Sequence, residues 1–486
     1  MPPAARQSLD VAALVDAVLA GRLTEAQADL LAAAGPEAVR LALLAASAAI
    51  AALGRTAASP STPSGAVPPH LKPSANGKGR RKKKKPGARP GHPGRRRKTP
   101  PRIDARVQHR LEACPGCGGE LQRCHRTRTR IIEDIPREIT PIVTQHTIHR
   151  DFCPHCKKHV EPVVPDAMPS ATLGHNVVAL SAWFHYGLGI TLSQTRDILD
   201  SHLHAAVTAG GLMDAWARMA EALRPWHEQI AEQLRNTACL HADETGWRVD
   251  GQTHWLWCFC DVRTCLYQID RSRGSAALGK FFTDAFAGTL VTDFWAVYQQ
   301  VCCEDHQYCL VHLLRELENV EQRNRSSAWQ AFAKLLRRLV KDGIRLRKRP
   351  DFAVEKYRSR IQLIHRRLCK LADDATRGLF PDADARRLGE RISRHRDHLF
   401  TFLDRPHVPF DNNHAERQIR PAVILRKNIL CNRSAAGADT QAVLMSIFRT
   451  LRLRGHDPTP TIAAALRDLL QSGTLPPLPV ETVADG

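Results

Sequence analysis

Apolar positions along the chain recur first at helical spacing, then at strand spacing, then at helical spacing again. From about 171 to 236 the helical period runs through NVVALSAWFHYGL and LMDAWARMAEAL. From about 237 it shortens to alternation. TACLHADETGW reads as one strand, and THWLWCFCDVRTCLYQID as two more joined at a turn from Asp261 to Thr264. SAALGKFFTDAF then reads as a helix and GTLVTDFW as a fourth strand. After YCLVHLLREL the pattern is helical again for roughly 80 residues. Trp329, Phe332, Leu335, Leu336, Leu339 and Val340 form one apolar stripe, and Tyr357, Ile361, Ile364, Leu368 and Leu371 a second.

A three-stranded meander followed by a helix and a fourth strand is how a ribonuclease-H-like fold begins. The sequence therefore predicts an α/β protein whose ribonuclease-H-like core, 237–456, is interrupted by a helical insertion at about 321–405. A helical region at 166–236 precedes the core, and a C-terminal helix and tail, 457–486, follow it. Residues 1–56 read as short N-terminal helices: Thr24 and Gln27 form a capping-box signature, and Gly35 and Pro36 separate two helices. The apolar run LALLAASAAIAAL is too short to span a bilayer, so no membrane is implied.

Between these regions the composition shifts. Residues 57–107 are rich in Pro, Gly, Ser and basic side chains, with the unbroken run Arg80, Arg81, Lys82, Lys83, Lys84 and Lys85 and a second cluster at 95–98. No apolar periodicity survives there, so the segment reads as a flexible linker. The net charge of +21 over 486 residues favours a polyanionic partner. The start MPPAARQSLD lacks the order of a secretory signal, which points to the cytosol. Fourteen cysteines in a reducing compartment suggest metal ligands or buried thiols, not disulfides.

Spacing sorts some of them. CPGC at Cys114 and Cys117 and CPHC at Cys153 and Cys156 form two knuckles, each able to point both sulfurs at one zinc ion. They define a small zinc-binding, DNA-recognising domain at 108–165, with room for a β-hairpin or two in the intervening 35 residues. Cys124, His125, His155 and His159 are substitute ligands, and unrelated buried thiols are the alternative.

Three acids stand in separate settings: Asp243 in HADETGW, Asp293 in LVTDFWAVY, and Glu416 in DNNHAERQIRP. The first two end apolar, β-prone runs and the third lies on a helix, so all three can converge on one magnesium or manganese site. Without metal such carboxylates repel by on the order of several kcal/mol at an effective dielectric near 20. Each also has an ordinary alternative. Asp243 caps a turn while Glu244 is the ligand, Asp293 is an N-cap, or Glu416 pairs with Arg417 or Arg420. Arg417, Arg420, Arg426, Lys427 and Asn428 follow the third acid as donors that can hold a DNA backbone.

HADETGW, THWLWCF, TDFWAVY, CLVHLLREL and DNNHAERQIRPAVILRKNIL together closely resemble the insertion-sequence 66 family of bacterial DDE transposases. The resemblance runs from about 108 onward. It implies that Asp243, Asp293 and Glu416 are the DDE triad. By the same token the protein binds element ends, cleaves phosphodiester bonds with two metal ions and joins the 3′-hydroxyls to double-stranded target DNA. It also implies a bacterial, nucleoid-associated protein that forms a homo-oligomer on DNA, with companion proteins from the same element. Cys309 and His312 match a Cys-x-x-His element of related transposases, against the alternative of a core thiol and a histidine packed near the site. The Ala-rich N-terminal helices lack the sustained heptad of a zipper arm. The rival readings are a nuclease of the same fold that cannot join strands and a non-catalytic DNA-binding protein.

The linker charges lead to a measurable expectation. If roughly six of them neutralise phosphates, log affinity against log salt on duplex DNA should have a slope near −5. Neutralising both basic clusters should flatten that slope without changing which end sequence is preferred. An unchanged slope would mean that the runs are only a tether.

Overall fold

The computed structural model describes residues 100–122, 129–136, 138–378 and 380–482, with scattered positions between 24 and 43. The basic runs at 80–85 and 95–98, Gln27 of the capping signature, Cys124 and His125 lie outside the described residues. Two units are distinguished, Pro73–Pro141 and the remainder of the chain.

The described residues of the smaller unit carry the first cysteine knuckle and no helix or strand. In the larger unit a short antiparallel pair, β1 (Asp151–Cys153) and β2 (Lys158–Val160), brackets the second knuckle. Room for a hairpin between the knuckles was expected in the β-prone stretch ITPIVTQHTIHRDF, of which Asp151 and Phe152 enter β1 while the preceding ITPIVTQHTIHR forms no strand. Ile142 and Val143 are 95% and 91% exposed, and β-branched residues form strands only where a pleated surface has something to pack against.

Four helices follow: α1 (His175–Ala182), which runs into a π-turn at Trp183–Gly187, α2 (Leu192–Leu203), α3 (Ala209–Ala222) and α4 (Arg224–Arg235). Thr191 and Gln194 close a full capping box at the start of α2, and the Thr208 hydroxyl caps α3. Their apolar faces bury Val178, Leu212, Trp216, Trp226 and Ile230.

The central sheet comprises β3 (Cys239–Val249), β4 (Gln252–Cys260), β5 (Cys265–Asp270), β6 (Phe286–Thr292) and β7 (Cys303–Tyr308), in the order β5-β4-β3-β6-β7. The first three strands are antiparallel neighbours; β6 and β7 join parallel to β3. Asp250 and Gly251, both at positive φ, make the two-residue turn between β3 and β4. Asp261 Oδ1 accepts from the amides of Arg263 and Thr264 at the next turn, where the sequence places it. Helix α5 (Ser275–Phe281) carries the chain across to β6. At Gly288 a Cβ would lie 2.6 Å from the Thr237 carbonyl oxygen, so β6 approaches the chain entering β3 at a distance only glycine permits.

Beyond β7 the chain builds a second core from α6 (Leu310–Arg323), α7 (Ser327–Arg347), α8 (Val354–Thr376), α9 (Ala383–Arg394) and the single turn α10 (Thr401–Asp404). Trp329, Phe332, Leu336, Leu339 and Val340 pack there with Ile361, Ile364 and Leu368. Leu335 departs from the predicted stripe and is 54% exposed. Adjacent helical residues differ by about 100° in direction, so once Leu336 faces the core Leu335 turns outward.

The chain then returns to the sheet as α11 (Asn413–Ile429), α12 (Ala435–Leu453) and α13 (Pro458–Ser472). Helix α11 lies against β3 and β4, and α12 against β5. Thr450 Oγ1 and Ser446 Oγ of α12 accept from the amides of Cys265 and Tyr267, which satisfies donors on an otherwise open strand edge.

Candidate active site

Strand alternation sends Asp243 and Glu244 to opposite faces of β3. The face that carries His241 and Asp243 meets α11 through Asn412. The His241 imidazole donates from Nδ1 to Asn412 Oδ1 (2.9 Å), Asn412 Nδ2 donates to the Ala242 carbonyl (2.8 Å), and the Asn412 amide donates to Cys309 Sγ (3.2 Å). Burial pushes the His241 pKa down to about 4, which keeps the ring neutral. Asn412 thus pins the start of α11 beside Asp243, and Glu416 follows in the first helical turn. Asp293 lies one residue past β6, its Oδ1 accepting from the Trp295 amide (2.9 Å).

The acids influence one another. Asp243 is held well above the usual carboxylate range, first by burial and then by the charges of Glu244, Asp293 and Glu416. Asp293 is raised by burial too, with the Trp295 amide, Arg273 and Arg391 pulling it back and Glu416 pushing it up. Glu416 Oε1 is sealed from solvent without a hydrogen-bond partner among the described residues, as is His312 Nδ1. His312 Nε2 stands 3.5 Å from Glu416 Oε1, and its pKa is lowered by burial, against the opposing pull of that carboxylate.

Glu244 is in a different situation. Its Oε1 accepts from Arg273 Nη2 (2.9 Å) and its Oε2 from the Tyr298 hydroxyl (2.6 Å), so both oxygens are engaged within the protein. Its carboxyl is also raised, by burial first and by Asp293 second.

Shielded carboxylate oxygens, one of them unpartnered among the described residues, are the donor type that suits a hard divalent cation. Among the described residues, however, no three His, Cys, Asp or Glu side chains are gathered closely enough to hold one ion. The donor chemistry fits and the spacing is open.

The basic residues after Glu416 divide into two groups. Arg417, Arg420 and Lys427 are exposed. Arg426, predicted as a DNA contact, is instead half-buried and donates to Thr245 Oγ1 (3.1 Å) and to the Gly246 carbonyl, pinning α11 to β3. Asn428 donates to the Gly189 carbonyl (2.8 Å). Cys309 is fully buried, its thiol pushed up to about 11 chiefly by burial, which matches a core thiol docking Asn412.

Each cysteine knuckle is described within its own unit. In the first, the Gly118 amide donates to the Cys114 carbonyl (2.7 Å) and the Cys114 amide to Gly119 (2.9 Å). The backbone N–H groups of Gly116 and Cys117 lower the Cys114 thiol pKa. In the second, the backbone of Cys156 leads the same effect on Cys153. Such turns favour thiolate, the form that zinc takes. His155 and His159 are exposed on the second knuckle.

The profile of the Transposase IS66 family matches residues 171–440, a span that contains all three acids, the sheet and the helical core after β7. The chain belongs to the IS66 transposase family. Membership implies DNA as partner, DNA cleavage as activity and a divalent metal requirement in general. The chain is also 22% identical over 422 residues to the uncharacterized protein y4jD of Sinorhizobium fredii, covering 77% of this chain and 78% of that one. A second protein of that organism, uncharacterized protein y4qI, is 34% identical over 76 residues, 16% of this chain and 14% of its own. Among the described residues no helix is long and apolar enough to cross a membrane. Asn412, Arg273 and Tyr298 had no assigned role from sequence. Asn412 lies inside the DNNHAERQ motif, whereas Arg273 and Tyr298 stand in ordinary loop and helical-turn positions that carry no local signal.

The electrostatics make a prediction. An acid whose pKa is higher folded than unfolded gives a stability that is lost as pH rises from the ordinary carboxylate range through the raised value. In magnesium-free buffer the melting temperature should therefore fall as pH climbs through that window. Asp243→Asn should reduce the slope and raise the neutral-pH melting temperature by a few degrees. Equal melting curves for the two proteins across pH would show that the Asp243 carboxyl is not raised in the folded protein.

Proposed function

We propose that this protein is a DDE-type transposase whose sheet is a ribonuclease-H-like core, with Asp243, Asp293 and Glu416 as its reacting acids. The observation that carries the reading is that β3, the end of β6 and the first turn of α11, which Asn412 ties to β3, each supply one carboxylate to a common region: Asp293 and Glu416 both raise Asp243, and Glu416 raises Asp293. The strand order β5-β4-β3-β6-β7, antiparallel then parallel, supports the fold. The engagement of both Glu244 oxygens favours Asp243 as the open carboxylate on β3.

Asp243, Asp293 and Glu416 would hold two magnesium or manganese ions. Bound there, the ions would lower the pKa of an attacking water or 3′-hydroxyl and offset charge on the scissile phosphate. The chain's own part is positional. Asn412 and Arg426 seat α11, whose first turn carries Glu416, on the β3 strand of Asp243, and the exposed Arg417, Arg420 and Lys427 offer donors to the phosphate backbone. The same acids would serve end cleavage and strand joining without a covalent enzyme intermediate. The linker at 80–85 and 95–98 would add sequence-independent affinity.

Replacing Asp243 or Asp293 by Asn, or Glu416 by Gln, should reduce cleavage and strand transfer on element-end DNA by about 10³-fold or more while end binding survives. Glu244→Gln is the control. A Glu244 variant that is dead beside an active Asp243 variant would reassign the first acid. Cleavage without joining in the unmodified protein would favour the nuclease, and neither activity the non-catalytic reading.

We further propose that the thiolates of Cys114 and Cys117 in the smaller unit, and of Cys153 and Cys156 in the larger, are structural zinc ligands of a DNA-positioning segment. The lowered thiol pKa of Cys114 and of Cys153 supports this. Metal analysis of the full chain should find about one zinc per molecule. Cys114→Ser and Cys153→Ser should each lower the zinc content. Full zinc content in both variants would refute these ligands.

A further inference from the structure

On the far face of β3 from Asp243, a single guanidinium lies between two indole rings. Arg273 Cζ is 4.2 Å from the Trp255 ring centroid and 4.1 Å from that of Trp295. Its Nη2 donates to Glu244 Oε1 at 2.9 Å, with Nε at 3.3 Å from the same oxygen. The Arg273 side chain is 19% exposed and that of Glu244 3%. The loop that presents Arg273 is itself fixed: the Ser272 amide donates to Asp270 Oδ1, the Gly274 amide to Ser272 Oγ, and Trp257 Nε1 to the Ser272 carbonyl.

The partners of this guanidinium link the first two acids. Glu244 follows Asp243 on β3, so whatever holds Glu244 holds the strand at Asp243. Trp295 supplies the amide that Asp293 Oδ1 accepts, so whatever holds Trp295 holds the turn at Asp293. Tyr298, one turn on, donates to the remaining Glu244 oxygen. Trp295 Nε1 is buried without a hydrogen-bond partner among the described residues, so its ring has no polar anchor of its own. Besides its packing against the main core, the ring is held by the stack on Arg273.

We propose that Arg273 is a positioning residue: gripping Glu244 with its fork and Trp295 with its face, it sets the separation of Asp243 and Asp293 across the β3–β6 pair. The inference rests on the reading of those two acids as metal ligands. The proposal needs an arginine, because a lysine keeps the charge and loses both the planar stack and the two-nitrogen grip. Cation–π stacking on two rings is energetically comparable to an ordinary buried hydrogen bond, so its loss should loosen the turn without unfolding the sheet.

The test is Mn2+ binding to the full-length protein, followed by loss of the free-ion paramagnetic signal, alongside end-DNA affinity and cleavage across Mn2+ concentrations. The set is Arg273→Lys, Trp295→Leu, Trp295→Phe and Asp293→Asn. Loss of a residue that orients a ligand typically weakens metal binding by about 10- to 100-fold. Arg273→Lys and Trp295→Leu should shift the Mn2+ midpoint upward by about tenfold or more, with end binding unchanged and cleavage recovered at saturating Mn2+. Trp295→Phe, which keeps an aromatic face, should stay near the unmodified midpoint. Should Arg273→Lys fail to fold, Trp295→Leu against Trp295→Phe decides the matter. Normal midpoints in Arg273→Lys and Trp295→Leu beside a weakened Asp293→Asn would overturn the proposal and leave the acids intact. Cleavage lost in both and not recovered by Mn2+ would also overturn it, as a role in the fold alone. Normal Mn2+ binding and cleavage in Asp293→Asn would instead sink the reading of the acids on which it rests.

Discussion

Like charges held together away from water are the constraint around which this fold is arranged. Asp243, Glu244 and Asp293 are all raised above the ordinary carboxylate range, with burial as the first cause in each case. A chain left to itself would spread such groups apart. Here the separation is opposed by backbone pairing, since β3 and β6 are hydrogen-bonded neighbours, and by Asn412, which ties α11 to β3 through side-chain and main-chain bonds at once. Arg273 and Tyr298 bind both oxygens of Glu244 and pull its pKa down, but Glu244 still raises Asp243 and is itself raised by burial and by Asp293.

The helical segment between β7 and α11 contributes more than distance along the chain. Its core, built on Trp329, Phe332 and Leu336 against α8, is continuous with the sheet through Val291 of β6 and Tyr308 of β7. It also reaches the acids. Arg391 of α9 donates to Glu316 of α6, sits over the Phe294 ring next to Asp293, and lowers the Asp293 pKa. A second positive group thereby acts on the second acid alongside Arg273. Cys309, at the junction where the helices begin, accepts from the Asn412 amide where they end, closing the excursion on itself.

Much of the architecture was legible in one dimension. Alternating apolar positions located four of the five strands of the sheet and missed β7, whose CEDHQY run does not alternate apolar and polar; helical spacing located α7 and α8, and the Asp261 turn came from a residue type with a specific local geometry. Where the pattern misled, the cause was context. ITPIVTQHTIHR has strand propensity without a surface to pack on, and Leu335 continues an apolar run past the edge of its helix's buried face. Both errors are failures of a local rule to know its neighbours.

The three acids and both cysteine knuckles stand in the sequence by themselves, because carboxylates at the ends of apolar runs and paired thiols at tight spacing are properties of short segments. Which of Asp243 and Glu244 stays open was not decidable there: they are adjacent, and only the partners on each face of β3 separate them. Tyr298 and Arg273 come from the loops beyond β6 and β5, and Asn412 from beyond the second helical core. Arg426 likewise read as a free donor until the docking of α11 turned it onto Gly246. Contacts between residues far apart in sequence depend on how the elements pack, so a motif can name the groups that react while the tertiary structure alone assigns the groups that hold them.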